Sequence, residues 1–175
     1  MKLGIVDKER PVLSEKAQAE IQKVIAYYPE DKKKSAILRV MHIVEEEADG
    51  WLSPDTMDMI AEILNITPIE VYEVATFYTM FNLQPVGKYV FEVCTTGPCM
   101  LVGSDNIVKY IEDKLNIKEG ETTADGMFTI KYAQCLGACG YGPMLQCGKY
   151  YHENLTPEKV DELIDACRRG EVKVY

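Results

Sequence analysis

The chain has 175 residues, of which 47% are hydrophobic and 27% charged, a composition typical of an ordinary globular protein. It carries 19 Lys and Arg against 28 Asp and Glu, so its formal net charge is −9 at pH 7. A surface that follows phosphates needs clustered positive charge, so this balance argues against a nucleic-acid partner. No apolar run approaches the roughly 18 residues of a membrane span. Asp7 comes too early for a secretory leader. We therefore expect a soluble, intracellular chain without direct membrane insertion.

The first half of the chain predicts four helices. They begin at Ser14, residue 35, Ser53 and Thr67, and the first, second and fourth end near Tyr28, residue 48 and Phe81. Ser53-Pro54-Asp55 combines a cap, a proline at the first helical position and an acid at the positive end of the helix dipole. Thr67 and Glu70, three residues apart, predict a capping box. A charged link separates the first two helices.

The second half changes to a mixed pattern. Strands are predicted at 89–93, 127–132, 144–147 and 149–152, and helices at about 103–115 and 156–169. The last two strands are joined at Gly148, which predicts a hairpin. We expect an α+β protein with a four-helix N-terminal domain (residues 1–86). A β-α-β-β-α domain (residues 87–175) follows, with a small sheet covered by helices.

Six cysteines, all in the second half, are the most informative residues. Two pairs stand out, Cys94-Thr-Thr-Gly-Pro-Cys99 and Cys135-Leu-Gly-Ala-Cys139, each after a predicted strand and among glycines. Glycine-rich loops let the backbone close around a cluster and direct N–H groups at its sulfurs. Four thiolates from two loops satisfy one [2Fe–2S] cluster, with two ligands for each iron. The pattern therefore favours an iron–sulfur centre.

Three other interpretations compete at this stage. Four thiolates also suit structural zinc, although zinc ribbons usually have shorter spacers. Disulfides are a second possibility, less typical of a chain without a secretory leader. A thioredoxin-type redox pair needs C-x-x-C, which the sequence lacks. The spacing favours the cluster and leaves zinc open.

These motifs also resemble those of one protein family, the 24-kDa-type subunit of NADH:quinone oxidoreductase (respiratory complex I), known in bacteria as the E-type subunit. The segment 54–83, which includes Glu-Val-Tyr-Glu-Val-Ala-Thr-Phe-Tyr at 70–78, is similar to the family's helical signature. Cys94 and Cys99 match its first ligand motif. Cys-Leu-Gly-Ala-Cys-Gly at 135–140, followed by Gly-Pro-Met at 142–144, matches its second.

The resemblance implies an N-terminal helical bundle and a thioredoxin-like domain that holds one [2Fe–2S] cluster through Cys94, Cys99, Cys135 and Cys139. It implies an electron-transfer subunit of a respiratory-chain NADH dehydrogenase (quinone), with no catalytic residues of its own. The cluster would exchange single electrons with FMN in a partner, the flavin- and NADH-binding subunit of the 51-kDa type. FMN and NADH would bind only there. The implied location is cytoplasmic, peripheral to the inner membrane through the complex.

Some alternatives remain open from the sequence. The equivalent subunit of an NAD-linked hydrogenase or formate dehydrogenase shares these motifs, and a zinc-bearing interaction module is a rival of another class. Cys147 and Cys167 are either separate buried thiols or a bridge between a strand and the last helix. His42 and His152 are isolated, so a Rieske-type centre with two histidine ligands is not expected. The sequence also lacks the glycine fingerprints of dinucleotide and phosphate loops.

Overall fold

The computed structural model describes residues 8–174, and the leader argument above concerns residues 1–7, which lie outside that range. The chain divides between Pro85 and Val86 into two compact units. The first unit is helical. Its elements are α1 (Glu15–Ile25), a 3₁₀ segment (Glu30–Ala36), α2 (Ile37–Glu47), α3 (Pro54–Leu64) and α4 (Pro68–Phe77).

The core of the helical unit is built from the apolar positions that the helical periodicity predicts. Its fully buried side chains include Ile21, Val40, Met41, Val44, Leu52, Ile60, Leu64 and Val71. Apart from Leu52, which precedes α3, these residues belong to sets of buried side chains three or four positions apart in α1 to α4, so each helix buries one stripe. The four predicted helices are therefore present and pack through the expected faces.

Two helix ends and one link differ from the predictions. The charged link at 30–36 is a 3₁₀ segment, kinked at Lys32. α1 ends at Ile25, and the N–H groups of Tyr27 and Tyr28 bond three residues back, which tightens the final turn before Pro29. Sequence periodicity does not register this change of hydrogen-bond pattern.

α4 ends at Phe77 and not near Phe81. Tyr78 leaves the helix with an extended backbone (φ −91°, ψ 109°). The chain then turns, which brings Phe81 back into the core against His42, with ring centroids 4.8 Å apart. The N–H of Asn82 donates to Glu45 Oε1 at 2.9 Å and holds this turn. Phe81 is thus a core residue, as its hydrophobicity suggests, but it reaches the core from a loop.

The predicted caps are present at the starts of α3 and α4. Ser53 Oγ, fully buried, accepts the Thr56 N–H at 3.2 Å. The Thr67 N–H donates to Glu70 Oε2 at 2.9 Å, and Lys34 Nζ donates to Glu70 Oε1 at 2.7 Å. The lysine first, and then the Thr67 N–H and hydroxyl, lower the pKa of the Glu70 carboxyl to about 2.

The second unit contains a four-stranded sheet. Its elements are β1 (Tyr89–Cys94), α5 (Gly97–Leu101), α6 (Ser104–Leu115), β2 (Phe128–Ala133), a 3₁₀ turn (Cys139–Tyr141), β3 (Leu145–Cys147), β4 (Tyr150–His152) and α7 (Pro157–Arg168). The strand order is β2-β1-β3-β4, with β1 parallel to β2 and the other pairs antiparallel. The α+β class is confirmed, whereas the five-residue helix α5 was not predicted.

Strand β1 is central to this unit. Tyr89, Phe91 and Val93 alternate along it and are fully buried, in one core with Ile111 of α6 and Ile164 of α7. In the parallel register Cys94 lies opposite Ala133, the last residue of β2. The segments that follow β1 and β2 therefore leave the sheet at the same edge.

Replacement of Glu70 by Gln should give a pH-dependent loss of stability. The folded carboxyl has a pKa near 2, below its ordinary value of 4.5, so its ionised form stabilises the fold. The difference in unfolding free energy between the two proteins should be full above about pH 5 and should shrink as the pH falls towards 2. Urea titrations at pH 2 to 7 measure it.

Lys34→Met is the matched control for Glu70→Gln. Without the ammonium the pKa of Glu70 rises towards its ordinary value. The stabilisation by the ionised carboxyl should therefore be smaller in this variant, and it should disappear at a higher pH than in the wild type. A difference between wild type and Glu70→Gln that stays constant from pH 2 to 7 would contradict the assignment.

Candidate metal centre

The four paired cysteines all lie in the segments that leave one edge of the sheet. Cys94 ends β1 and Cys99 lies within α5, whereas Cys135 comes two residues after β2 and Cys139 begins the 3₁₀ turn. All four are free thiols. Cys94 and Cys99 are buried, and Cys135 and Cys139 are exposed. The site therefore has a protected side and an open side.

Helix α5 explains how Cys99 reaches this edge. Thr96 is extended at the N-cap, and Pro98 occupies the second helical position, where a missing N–H costs no intrahelical bond. The N–H of Met100 closes the first turn on the Thr96 carbonyl at 2.9 Å. Thr-Gly-Pro at 96–98 is a sequence signal for the start of α5, because Thr96 takes the N-cap position and Pro98 lies in the first turn. Five residues are too few to show a helical period of apolar side chains.

The two cysteine loops pack together, because Leu136 and Ala138 lie against the buried cluster of Cys94, Cys99 and Met144. The pKa of Cys99 is raised to about 11, first by burial, and then by the hydrogen bond to Cys94 and the charges of Cys94, Cys139 and Cys135. Like charges act in this way only across short distances. The two cysteine pairs, about 40 residues apart along the chain, therefore lie near one another.

Hydrogen-bond donors surround the sulfurs. The hydroxyl of Thr96 lies 3.4 Å from Cys94 Sγ, and the Gly137 N–H donates to Cys135 Sγ at 3.4 Å. Burial by itself raises the pKa of Cys94. The hydroxyl and N–H of Thr96, the N–H of Leu136 and the Cys99 thiol outweigh it, so the pKa of Cys94 is lowered. The surroundings thus stabilise negative charge on the Cys94 sulfur.

Two glycines shape the second loop. Gly137 has φ +75°, a left-handed conformation that a side chain would strain, and in this conformation its N–H meets Cys135. Gly142 lies against Cys99: a Cβ at this position would be 3.0 Å from Val102 Cγ2 and 3.2 Å from Cys99 Sγ. Gly137 is therefore required by its left-handed backbone, and Gly142 by its close contact with Cys99.

The donor set fits a binuclear iron–sulfur cluster. Thiolates are the soft ligands that iron–sulfur clusters take, and N–H donors to sulfur are typical of their surroundings. Within residues 8–174, no three Cys, His, Asp or Glu side chains converge on one point suited to a metal ion. A [2Fe–2S] cluster does not require such convergence, because each iron takes only two protein ligands.

The remaining candidates lie elsewhere. His42 packs on Phe81 in the helical unit. His152 is on β4, where burial lowers the pKa of its imidazole, and among residues 8–174 its Nε2 has no hydrogen-bond partner. Cys147 and Cys167 are fully buried free thiols in the core of the second unit.

Comparison with known proteins now identifies the family. Residues 21–168 match the family model described as thioredoxin-like [2Fe-2S] ferredoxin. The chain belongs to this family. The resemblance found in the sequence is confirmed, and so is the [2Fe–2S] cluster as the cofactor. Among residues 8–174, no helix has the length and apolarity to cross a bilayer.

The names of similar proteins indicate which kind of family member this chain resembles. The NADH-quinone oxidoreductase E-type subunit of Rickettsia prowazekii (strain Madrid E) is 46% identical over 81% of this chain and 80% of its own length. The protein of the same name from Rickettsia felis (strain ATCC VR-1525 / URRWXCal2) is 47% identical over 81% of this chain and 85% of its own length. The expectation of a subunit of an oxidoreductase complex is confirmed.

A solved structure shares the fold. The NAD+-reducing [NiFe]-hydrogenase in its air-oxidised state superposes with a TM-score of 0.66 at 19% sequence identity. The match covers 77% of this chain, which spans 23% of that hydrogenase chain. At this identity the likeness is one of fold.

Gly142→Ala should reduce cluster content, because the added methyl group crowds Cys99 Sγ and Val102. Overpacking of this kind costs about 1–3 kcal/mol. Gly140→Ala is the matched control, since a Cβ at Gly140 has no protein atom within 4 Å and its backbone is not left-handed. Iron and sulfide analysis with a thermal melt measures both variants. Equal loading and equal melting would contradict the packing argument.

Proposed function

We propose that Cys94, Cys99, Cys135 and Cys139 are the four ligands of the [2Fe–2S] cluster. The observation that supports this assignment is that the two cysteine loops leave the same edge of the sheet and pack together there, with N–H and hydroxyl groups beside the sulfurs. The cluster supplies one-electron transfer. The chain itself holds the irons, offsets the negative charge of the sulfurs, and covers the buried pair Cys94 and Cys99.

The chain is an electron-transfer subunit, and the partner proposed for it is the flavin- and NADH-binding subunit (51-kDa type) of the same complex. The named relatives are subunits of NADH-quinone oxidoreductase, so such proteins work in an assembly. We assign the flavin to the partner because this sequence lacks the dinucleotide fingerprint. A cluster held by these cysteines would supply one-electron transfer with the partner's FMN, and the complex would attach the chain to the inner membrane peripherally.

The docking surface proposed for this partner includes the exposed apolar side chains of α4 and the turn after it. Phe77 is 77% exposed and Ile69 63%, and Tyr78 and Met80 are also exposed. A helix that exposes this much apolar surface is typical of a protein–protein interface. The helical unit contains none of the four cysteines, so binding is a role that is separate from holding the cluster.

Substitution of Cys99 by Ala should abolish the visible absorption of the cluster, whereas Cys147→Ala should retain it. Both thiols are buried, so the loss of packing is similar, about 1 kcal/mol in each case. Protein purified without oxygen should contain about two irons and two sulfides in the wild type and in Cys147→Ala. A fully loaded Cys99→Ala protein would overturn the ligand assignment.

Electron exchange with the flavoprotein is tested by reconstitution. NADH should bleach the cluster of this chain only when the separately purified flavoprotein is present.

Phe77→Glu should weaken binding to the flavoprotein by about tenfold or more, since it places a charge in an apolar contact. Tyr27→Glu is the control, because Tyr27 is 67% exposed but lies beyond α1. Bleaching that is equally rapid without the flavoprotein would contradict the proposed electron donor. Equal binding by all three proteins would contradict the proposed surface.

A further inference from the structure

A side chain of the sheet holds the second cysteine loop. The hydroxyl of Tyr151, on β4, donates to the Leu136 carbonyl at 2.7 Å. Leu136 directly follows Cys135 and packs against the small buried cluster that contains Cys99. The loop begins at the end of β2, and β2 and β4 are the two outer strands of the sheet. The hydrogen bond therefore joins the loop to the side of the sheet opposite the strand at which it starts.

Tyr151 reaches the loop from the face of the sheet that points away from the core. It is paired with Gln146 of β3, and Gln146 is paired with Glu92 of β1. The neighbours of Gln146 in sequence, Leu145 and Cys147, are buried in the core, and side chains alternate along a strand. Tyr151 itself is 47% exposed. A substitution at this position therefore leaves the packing of the core intact.

The peptide group that accepts from Tyr151 also donates to a cysteine sulfur. The Leu136 carbonyl and the Gly137 N–H belong to the same peptide group, and this N–H donates to Cys135 Sγ at 3.4 Å. In a trans peptide the C=O and the N–H point in opposite directions. The phenol and the sulfur therefore lie at opposite ends of one amide dipole.

Glycine at position 137 leaves the orientation of this peptide group to the hydrogen bonds. Gly137 has φ +75°, and glycine takes positive and negative φ about equally well. The backbone alone therefore does not favour the orientation in which the N–H faces the sulfur. The reversed peptide would direct a carbonyl oxygen at Cys135 Sγ and would lose the bond to Tyr151. The phenol thus stabilises the orientation that presents a donor to the sulfur.

We propose that Tyr151 is a positioning residue for the cluster. Through the Leu136–Gly137 peptide group it strengthens the hydrogen bond to Cys135 Sγ and raises the reduction potential. A donor on the carbonyl polarises an amide and makes its N–H a stronger donor. Reduction adds one negative charge to the cluster, so a donor to a ligand sulfur stabilises the reduced state more than the oxidised state. The proposal rests on the assignment of Cys135 as a ligand under the proposed function.

Other hydrogen bonds hold the loop when the hydroxyl of Tyr151 is removed. The Asn154 N–H donates to the Tyr141 carbonyl at 2.8 Å, and the Leu155 N–H donates to the Pro143 carbonyl at 2.9 Å. Both bonds join backbone groups, so Tyr151→Phe leaves them in place and keeps the aromatic ring. The variant therefore isolates the single bond to the Leu136–Gly137 peptide group.

The test compares full-length, cluster-loaded wild type and Tyr151→Phe, both purified without oxygen. A redox titration followed by EPR reports on loaded molecules alone, so incomplete loading does not affect the midpoint potential. The equilibrium constant for reduction should fall about threefold, as expected for a weakened hydrogen bond. For a one-electron couple this is a potential lower by about 30 mV. The Fe–S(Cys) stretching bands in resonance Raman spectra should move to higher frequency, because the sulfur gives less electron density to its hydrogen bond.

Tyr150→Phe is the matched control. Tyr150 precedes Tyr151 on β4 and is 49% exposed, and within the described range 8–174 its hydroxyl makes no hydrogen bond. Its potential and its Raman bands should equal those of the wild type. Equal potentials in the wild type and Tyr151→Phe, or an equal fall in Tyr150→Phe, would overturn the proposal.

Cys135→Ala tests the ligand assignment separately, and it should lose the cluster. A fully loaded Cys135→Ala protein would overturn both the ligand assignment and the role of Tyr151. Loss of the cluster in Cys135→Ala, with an unchanged potential in Tyr151→Phe, would overturn the role of Tyr151 alone.

Discussion

The parallel pairing of β1 with β2 is the constraint on which the metal site depends. Cys94 and Ala133 are partners in that register, so the segments after both strands begin at the same edge of the sheet. A slip of the register would displace the Cys135 loop along the sheet relative to Cys94. The buried side chains Tyr89, Phe91 and Phe128 hold the register, because they pack in one core and the strands cannot slide without exposing them.

Neighbouring thiolates repel one another, and the surroundings of the four cysteines differ in how they affect the charge on each sulfur. Cys99 is buried among the other thiols, and the pKa of its side chain is raised. The pKa of Cys94 is lowered, because Thr96 and the Leu136 N–H donate to its sulfur. Cys135 accepts from the Gly137 N–H and is exposed to solvent. The arrangement is asymmetric: one pair of thiols lies inside the protein and the other lies where a partner can approach.

The two units differ in composition and in what they expose. The helical unit packs its own core, exposes apolar side chains on α4 and contains no cysteine. The sheet unit contains the cysteine loops, and its larger core contains the two other cysteines, Cys147 and Cys167. Separate cores allow the two units to be perturbed independently, so a change at Phe77 tests binding and a change at Cys99 tests the cluster.

The sequence by itself determined the four helices of the first unit, the strands, the caps at Ser53 and Thr67, and the two cysteine pairs. Hydrophobic periodicity and cap chemistry are local, so they can be read from neighbouring residues. The end of α4 at Phe77 and the position of Phe81 were decided by tertiary packing against His42, which no local pattern encodes. The same is true of the approach of Gly142 to Cys99. This contact joins residues distant in the chain, and only the strand register brings them together.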